Sequence, residues 1–194
     1  MLYLLCLLVS ALGSSLKWMD RSSGAQYDWS SLRRPEPFVV VEPQADIMLN
    51  AFYTFTFGQN LPRSCTRSLL HRTPASAVLQ VTLLGNIFER CEVMGLHDMQ
   101  TVALLQPRKP EAGLTITYLG GELCSSTTQG QVNAPRQVSF QLICDPDSDS
   151  AFEIVQADKD LGLCHHTFRT HTKAGCPVYY AGRYTLWTRR SSWL

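Results

Sequence analysis

From Phe38 onward, apolar and polar residues alternate in short runs. Leu114–Leu119 reads L-T-I-T-Y-L and Gln137–Ile143 reads Q-V-S-F-Q-L-I, so each predicts a strand with one buried face. Six further runs are rich in Val, Thr, Phe, Tyr and Ile and are punctuated by Gly, Pro, Asn and Asp. They are Phe38–Val41, Ile47–Phe57, Ala77–Leu84, Thr101–Leu105, Ala151–Val155 and Thr167–Thr172. No stretch carries a capped, four-turn amphipathic helix, and no internal repeat is evident. The pattern predicts an all-β domain, a sandwich or flattened barrel. Loops are expected at 106–113 (QPRKPEAG), 125–135 (SSTTQGQVNAP), 145–150 (DPDSDS) and 157–162 (ADKDLG). The acidic loop lacks the spacing and terminal Glu of an EF-hand and reads as a solvated turn.

The start of the chain breaks this pattern. Leu2–Leu12 is apolar apart from Ser10, too short for the ~20 residues of a membrane helix but suited to a secretory signal. Ala11 and Gly13 supply a small-x-small cleavage pattern, so residues 1–13 are read as a signal peptide. Residues 14–37 are polar, broken by Gly and Pro, and read as an irregular leader partly packed through Trp18 and Trp29. A β-domain over 38–182 and a tail over 183–194 complete the organisation. In that tail Arg183, Arg189 and Arg190 interleave with Tyr184, Trp187 and Trp193, and it is read as a frayed last strand.

Composition changes the picture in two respects. A net charge of +1 gives no support for nucleic acid or an anionic membrane as a partner, and no later apolar run is long enough to span a bilayer. Of seven cysteines, Cys6 falls in the signal. Cys65, Cys91, Cys124, Cys144, Cys164 and Cys176 then form an even set, as expected of an oxidised secretory or extracellular domain. Six cysteines allow 15 pairings, which composition leaves open.

Candidate chemistry concentrates in CHHTFRTHTKAGC, residues 164–176. Its cysteines and histidines are zinc-type donors. Strand alternation, however, places Cys164, His166, Phe168 and Thr170 on one face and His165, Thr167, Arg169 and His171 on the other. Paired C-x-x-C spacing is missing, and oxidation would compete for both thiols. Neither G-x-S-x-G nor H-E-x-x-H occurs, so the reading is of a non-enzyme without a cofactor.

The spacing of several motifs resembles the mannose-6-phosphate receptor homology (MRH) domain. They are Y-L-G-G-E-L-C (118–124), A-P-R-Q-V-S-F-Q-L-I-C (134–144), F-E-I-V-Q (152–156) and the 164–176 stretch. Upstream, AFYTFTFGQ (51–59) is similar to the family's early strand. The resemblance implies a disulfide-stitched flattened β-barrel with Cys124 joined to Cys164 and Cys144 to Cys176, leaving Cys65 for Cys91. It also implies a lectin that brackets mannose hydroxyls with Gln, Arg, Glu and Tyr. Arg136, eight residues before Cys144, stands at the arginine position. Gln106 stands at the glutamine position, with Gln100 as the alternative. His166 replaces the tyrosine. The glutamate's place falls in QADKDLG, where Gln156, Asp158 and Asp160 are the substitutes.

Two functions follow as expectations. The first is a soluble lumenal protein of the endoplasmic reticulum, Golgi, endosome or lysosome, or a secreted one. It would bind mannose or mannose-6-phosphate-type N-glycans on glycoproteins through an altered site. The second is a protein-interaction or sorting module of the same fold whose sugar site has degenerated.

Overall fold

The computed structural model describes residues 16–42, 49–61, 76–84, 88–126, 132–155 and 164–178. The alternating runs form strands: β3 (Phe38–Val41), β4 (Leu49–Phe55), β5 (Ser76–Leu84), β6 (Phe88–Leu104), β7 (Gly113–Gly120), β10 (Gln137–Cys144), β11 (Glu153–Val155) and β12 (His165–Thr172). They make one eight-stranded sheet in the order β11-β12-β10-β7-β6-β5-β4-β3. All neighbours are antiparallel except β10 and β12, which run parallel from Gln137↔His165 to Cys144↔Thr172. Among the described residues no helix is long and apolar enough to cross a membrane.

β6 turns this sheet back on itself. Its first half pairs with β5, ending at Ser76↔Leu96, and its second half pairs with β7. From Gly95↔Gly120 to Gln100↔Tyr118, β6 advances five residues (100 − 95) while β7 advances two (120 − 118). The three extra residues are a bulge, the usual device for bending a strand at a sheet corner. Two leaves result, and their inward aromatics meet. Phe55 lies 4.6 Å from Phe140 and 5.5 Å from Phe168, centroid to centroid. Phe38 on the last strand of one leaf reaches Phe152, just before the last strand of the other, at 5.1 Å. A flattened, nearly closed barrel is the outcome, with Tyr53, Phe55, Phe57, Tyr118, Phe140 and Phe168 fully buried inside.

The structure adds three features to the strand pattern. The leader, expected to be irregular, holds an antiparallel ribbon of β1 (Lys17–Met19) and β2 (Gln26–Asp28). Beside it Tyr27 and Trp29 are fully buried, and the Tyr27 hydroxyl donates to the Pro110 carbonyl at 2.7 Å. The leader's aromatics thus belong to the core, where truncation of a residue like Trp29 costs about 3–5 kcal/mol. Residues 125–135, expected to be a loop, contribute to a hairpin of β8 (Leu123–Ser126) and β9 (Val132–Pro135). β6 begins thirteen residues before the predicted Thr101 (101 − 88), because Glu89, Arg90, Glu92, His97 and Asp98 obscure its alternation.

Disulfides Cys124–Cys164 and Cys144–Cys176 form as the resemblance implied. Cys91 is also disulfide-bonded, whereas Cys65 lies outside the described residues. The two described bridges span 40 and 32 residues, and chain entropy gives each on the order of 3–4 kcal/mol.

Burial disfavours the charged rings of His97 and His165, so both fall below the ordinary histidine value of 6.5. The unfolded chain then binds more protons than the folded one below about pH 6.5, and stability falls as pH drops through that window. The urea midpoint is expected to be lower at pH 5.5 than at pH 7.5, with a smaller difference in His97→Gln/His165→Gln. An equal difference in the double variant would assign the pH response to other groups.

Candidate functional site

The turn after β7 prepares one end of the barrel. Gly120 takes φ +74°, which a side chain would resist, and Gly121 lets three backbone segments close together. A Cβ at Gly121 would lie 2.6 Å from the Met94 carbonyl oxygen and 2.8 Å from the Arg136 Cβ. In that tight space the Gly121 N–H donates to the Arg136 carbonyl, the Arg136 N–H to that of Glu122, and the Glu122 N–H to that of Val93. The Y-L-G-G motif therefore fixes Arg136 beside β6.

The Arg136 guanidinium meets the Glu92 carboxylate there at 2.9 Å, and the two side chains are only 11% and 14% exposed. Beside this pair lies a second one. Tyr53 donates its hydroxyl to Glu42 Oε2 at 3.0 Å, and His166 Nδ1 lies 3.2 Å from the same tyrosine oxygen. With the hydroxyl proton directed to the carboxylate, the neutral ring carries its hydrogen on Nδ1 and keeps Nε2 as an acceptor. Burial first, then the Glu42 charge, push the Tyr53 hydroxyl well above the usual tyrosine range, with Arg136 pulling the other way and Glu92 adding to it. Tyr53 is thus a fixed neutral donor, and the ion pair and the tyrosine-histidine pair act on one another.

Strand register explains this convergence. Tyr53 pairs with Gln80, which pairs with Glu92, so Tyr53 and Glu92 share a row across β4, β5 and β6. Gln100, Tyr118, Val138 and His166 form another row across β6, β7, β10 and β12. Arg136 lies two residues before Val138, on the same inward side. The first row belongs to one leaf and the second to the other, so the site is where the leaves meet.

Of the residues expected from sequence, Arg136 and His166 come together here. Gln106 does not: it lies in the turn between β6 and β7, where its carbonyl accepts from the Lys109 N–H. That turn adjoins Gly113, seven residues along β7 from Gly120 (120 − 113), or about 23 Å. Gln100, the alternative, occupies the row that reaches His166. Gln156, Asp158, Asp160 and the tail lie outside the described residues.

Sequence reasoning missed Tyr53, Glu42 and Glu92. Tyr53 had a signal in the alternation of AFYTFTF, and Glu92 in being an acid flanked by Cys91 and Val93. The zinc reading gains no support, since no cluster of three His, Cys, Asp or Glu suited to a metal occurs among the described residues. His165 and His166 diverge as alternation requires. His165 Nε2 lies 2.9 Å from Ser139 Oγ, while His166 turns inward to Tyr53.

Together the cluster offers guanidinium donors, two carboxylates, a phenol and an imidazole acceptor, a set that matches vicinal hydroxyls, each both donor and acceptor. The ion pair makes a sharp energetic prediction. Arg136→Ala leaves the Glu92 carboxylate uncompensated and should cost about 3–5 kcal/mol, whereas Arg136→Met/Glu92→Leu should cost less than the single change. Urea unfolding of the variants measures this, and additive losses in the double variant would contradict it.

No family model matches the chain, and no curated protein does. Solved structures do. Chicken IGF2R domain 11 aligns with a TM-score of 0.53 at 15% identity, over 85% of this chain and 93% of that one. Domain 11 of the echidna mannose-6-phosphate/IGF2R receptor aligns with a TM-score of 0.53 at 13% identity, over 84% and 95%. At such identities the likeness is one of fold, and the fold of this chain is that of the mannose-6-phosphate receptor homology domain.

Proposed function

We propose that this MRH-fold chain is a carbohydrate-binding protein of the secretory pathway, not an enzyme, that recognises mannose-type glycans through an altered site. The observation that carries this reading is the convergence of Arg136, Glu92, Tyr53 and His166 where the two leaves meet. The residue types expected of such a site are an arginine, a glutamine, a carboxylate and a tyrosine. Here Arg136 holds the arginine position, Gln100 supplies the amide, Glu92 the carboxylate and Tyr53 the hydroxyl. His166, standing where tyrosine was expected, supports a phenol from another strand. The lumenal setting is supported by the disulfides, because such bonds persist in oxidising compartments.

One observation favours the second reading, an interaction module with a degenerate sugar site. Arg136 is already engaged by Glu92 at 2.9 Å, so a sugar must compete with a carboxylate for the guanidinium. A glycan array on the oxidised protein separates the two. Tyr53→Phe keeps the ring and removes only the hydroxyl. Under the lectin reading, mannose-bearing glycans are retained, and Tyr53→Phe and Arg136→Lys each weaken binding roughly tenfold or more, as expected for a lost buried hydrogen bond. Silence across the array, from protein with both described disulfides formed, would retire the lectin reading in favour of protein partners.

A further inference from the structure

A second feature lies at the seam where the barrel fails to close. A cavity of about 520 Å³ runs between β3 and the segment Asp149–Phe152. Leu32, Phe38, Val40 and Phe152 give it apolar walls, and the Phe38 and Phe152 rings meet edge to face. β3 pairs with β4 on one side and β11 with β12 on one side. Among the described residues neither has a strand on its other side. Edge strands are normally blunted by charge, proline or a bulge. β3 is F-V-V-V, with Val39 and Val41 exposed at 59% and 64%.

From this seam we propose that β3 accepts an extended peptide segment of a partner protein, added as a strand in the cleft. The polar groups of the cleft explain why a peptide fits and a sugar does not, for they are used internally. Thr170 donates to the Ser150 carbonyl and Thr172 to Asp149 Oδ1. The Arg34 guanidinium lies over Phe38 and donates to the Glu36 and Pro37 carbonyls. What β3 offers instead is main-chain N–H and C=O groups, the currency of β-augmentation. Size excludes a globular partner: a four-residue edge spans about 13 Å, far short of the roughly 800 Å² per partner of a standard interface. The side chains set the composition. Inward positions of the added strand would rest on Phe38, Val40 and Phe152, and outward ones beside Val39 and Val41. The occupant is thus an uncharged, β-branched and aromatic run of about four residues. This inference does not rest on the sugar reading.

The test uses acetyl-Lys-Thr-Val-Phe-Val-Thr-Lys-amide, titrated into the isotope-labelled, oxidised full chain and followed by amide chemical shifts. Saturable shifts confined to 38–42 and 149–155 are expected. Val39→Lys/Val41→Lys, which alters only exposed side chains, should weaken binding at least tenfold with an unchanged thermal midpoint. A peptide with both valines replaced by proline, unable to pair through its main chain, should not bind. Shifts elsewhere, or equal binding of the proline peptide, would overturn the proposal. So would sedimentation showing that β3 instead pairs with a second copy of the chain.

Discussion

The parallel pairing of β10 and β12 is the constraint on which the rest depends. Antiparallel neighbours can be joined by a short turn, but parallel ones require a crossover, and the crossover here carries β11. One disulfide ties each end of the pair. Cys124–Cys164 sits where β12 begins, and Cys144–Cys176 joins the end of β10 to the turn after β12. Gly175 allows that second closure, since a Cβ there would lie 2.5 Å from the Leu142 carbonyl oxygen. With both ends tied, β12 cannot slip relative to β10, and a slip of one residue would turn every side chain to the other face. His166 and Phe168 then point inward and His165 outward as a matter of register.

The site inherits its geometry from this constraint and from the bulge in β6. The bulge folds the first leaf over the second, bringing Tyr53 and Glu92 against His166 and Arg136. No side chain of the cluster is positioned by its sequence neighbours alone. The partners lie 113 residues apart in one pair and 44 in the other, and each strand contributes one or two groups. Such a site is rigid because strands rather than loops hold it, and that preorganisation lowers the cost of binding a small ligand.

The strand pattern was legible wherever one face was buried and the other wet, as in β3, β7, β10 and β12. It failed in β6, where acidic and basic residues sit among inward positions and the bulge resets the phase of alternation. Disulfide pairing became legible through motif spacing, which composition alone left open. Within the site, Arg136 and His166 were found because each is tied to a nearby cysteine. Gln106 was misplaced because counting residues along β6 cannot detect three that are absorbed in a bulge. Tyr53 and Glu92 went unseen because they come from the opposite leaf, and the missing carboxylate was sought next to Cys164. A search along the chain cannot find a group that arrives from across the barrel.

The leader ribbon has a consequence for how the molecule is made. Tyr27 caps the core by bonding to Pro110, 83 residues later, and Val178 donates its N–H to the Gln26 carbonyl from across nearly the whole chain. The segment that leaves the ribosome early therefore finds its partners only among the last residues to emerge. Until then Trp29 and Tyr27 have no barrel to enter, and apolar surface stays exposed on a partly built sheet. Folding dominated by such distant contacts is slow and vulnerable to aggregation. The chain's maturation is accordingly set by its C-terminal third, whose synthesis both supplies the cysteines of the two ties and admits the leader to the core.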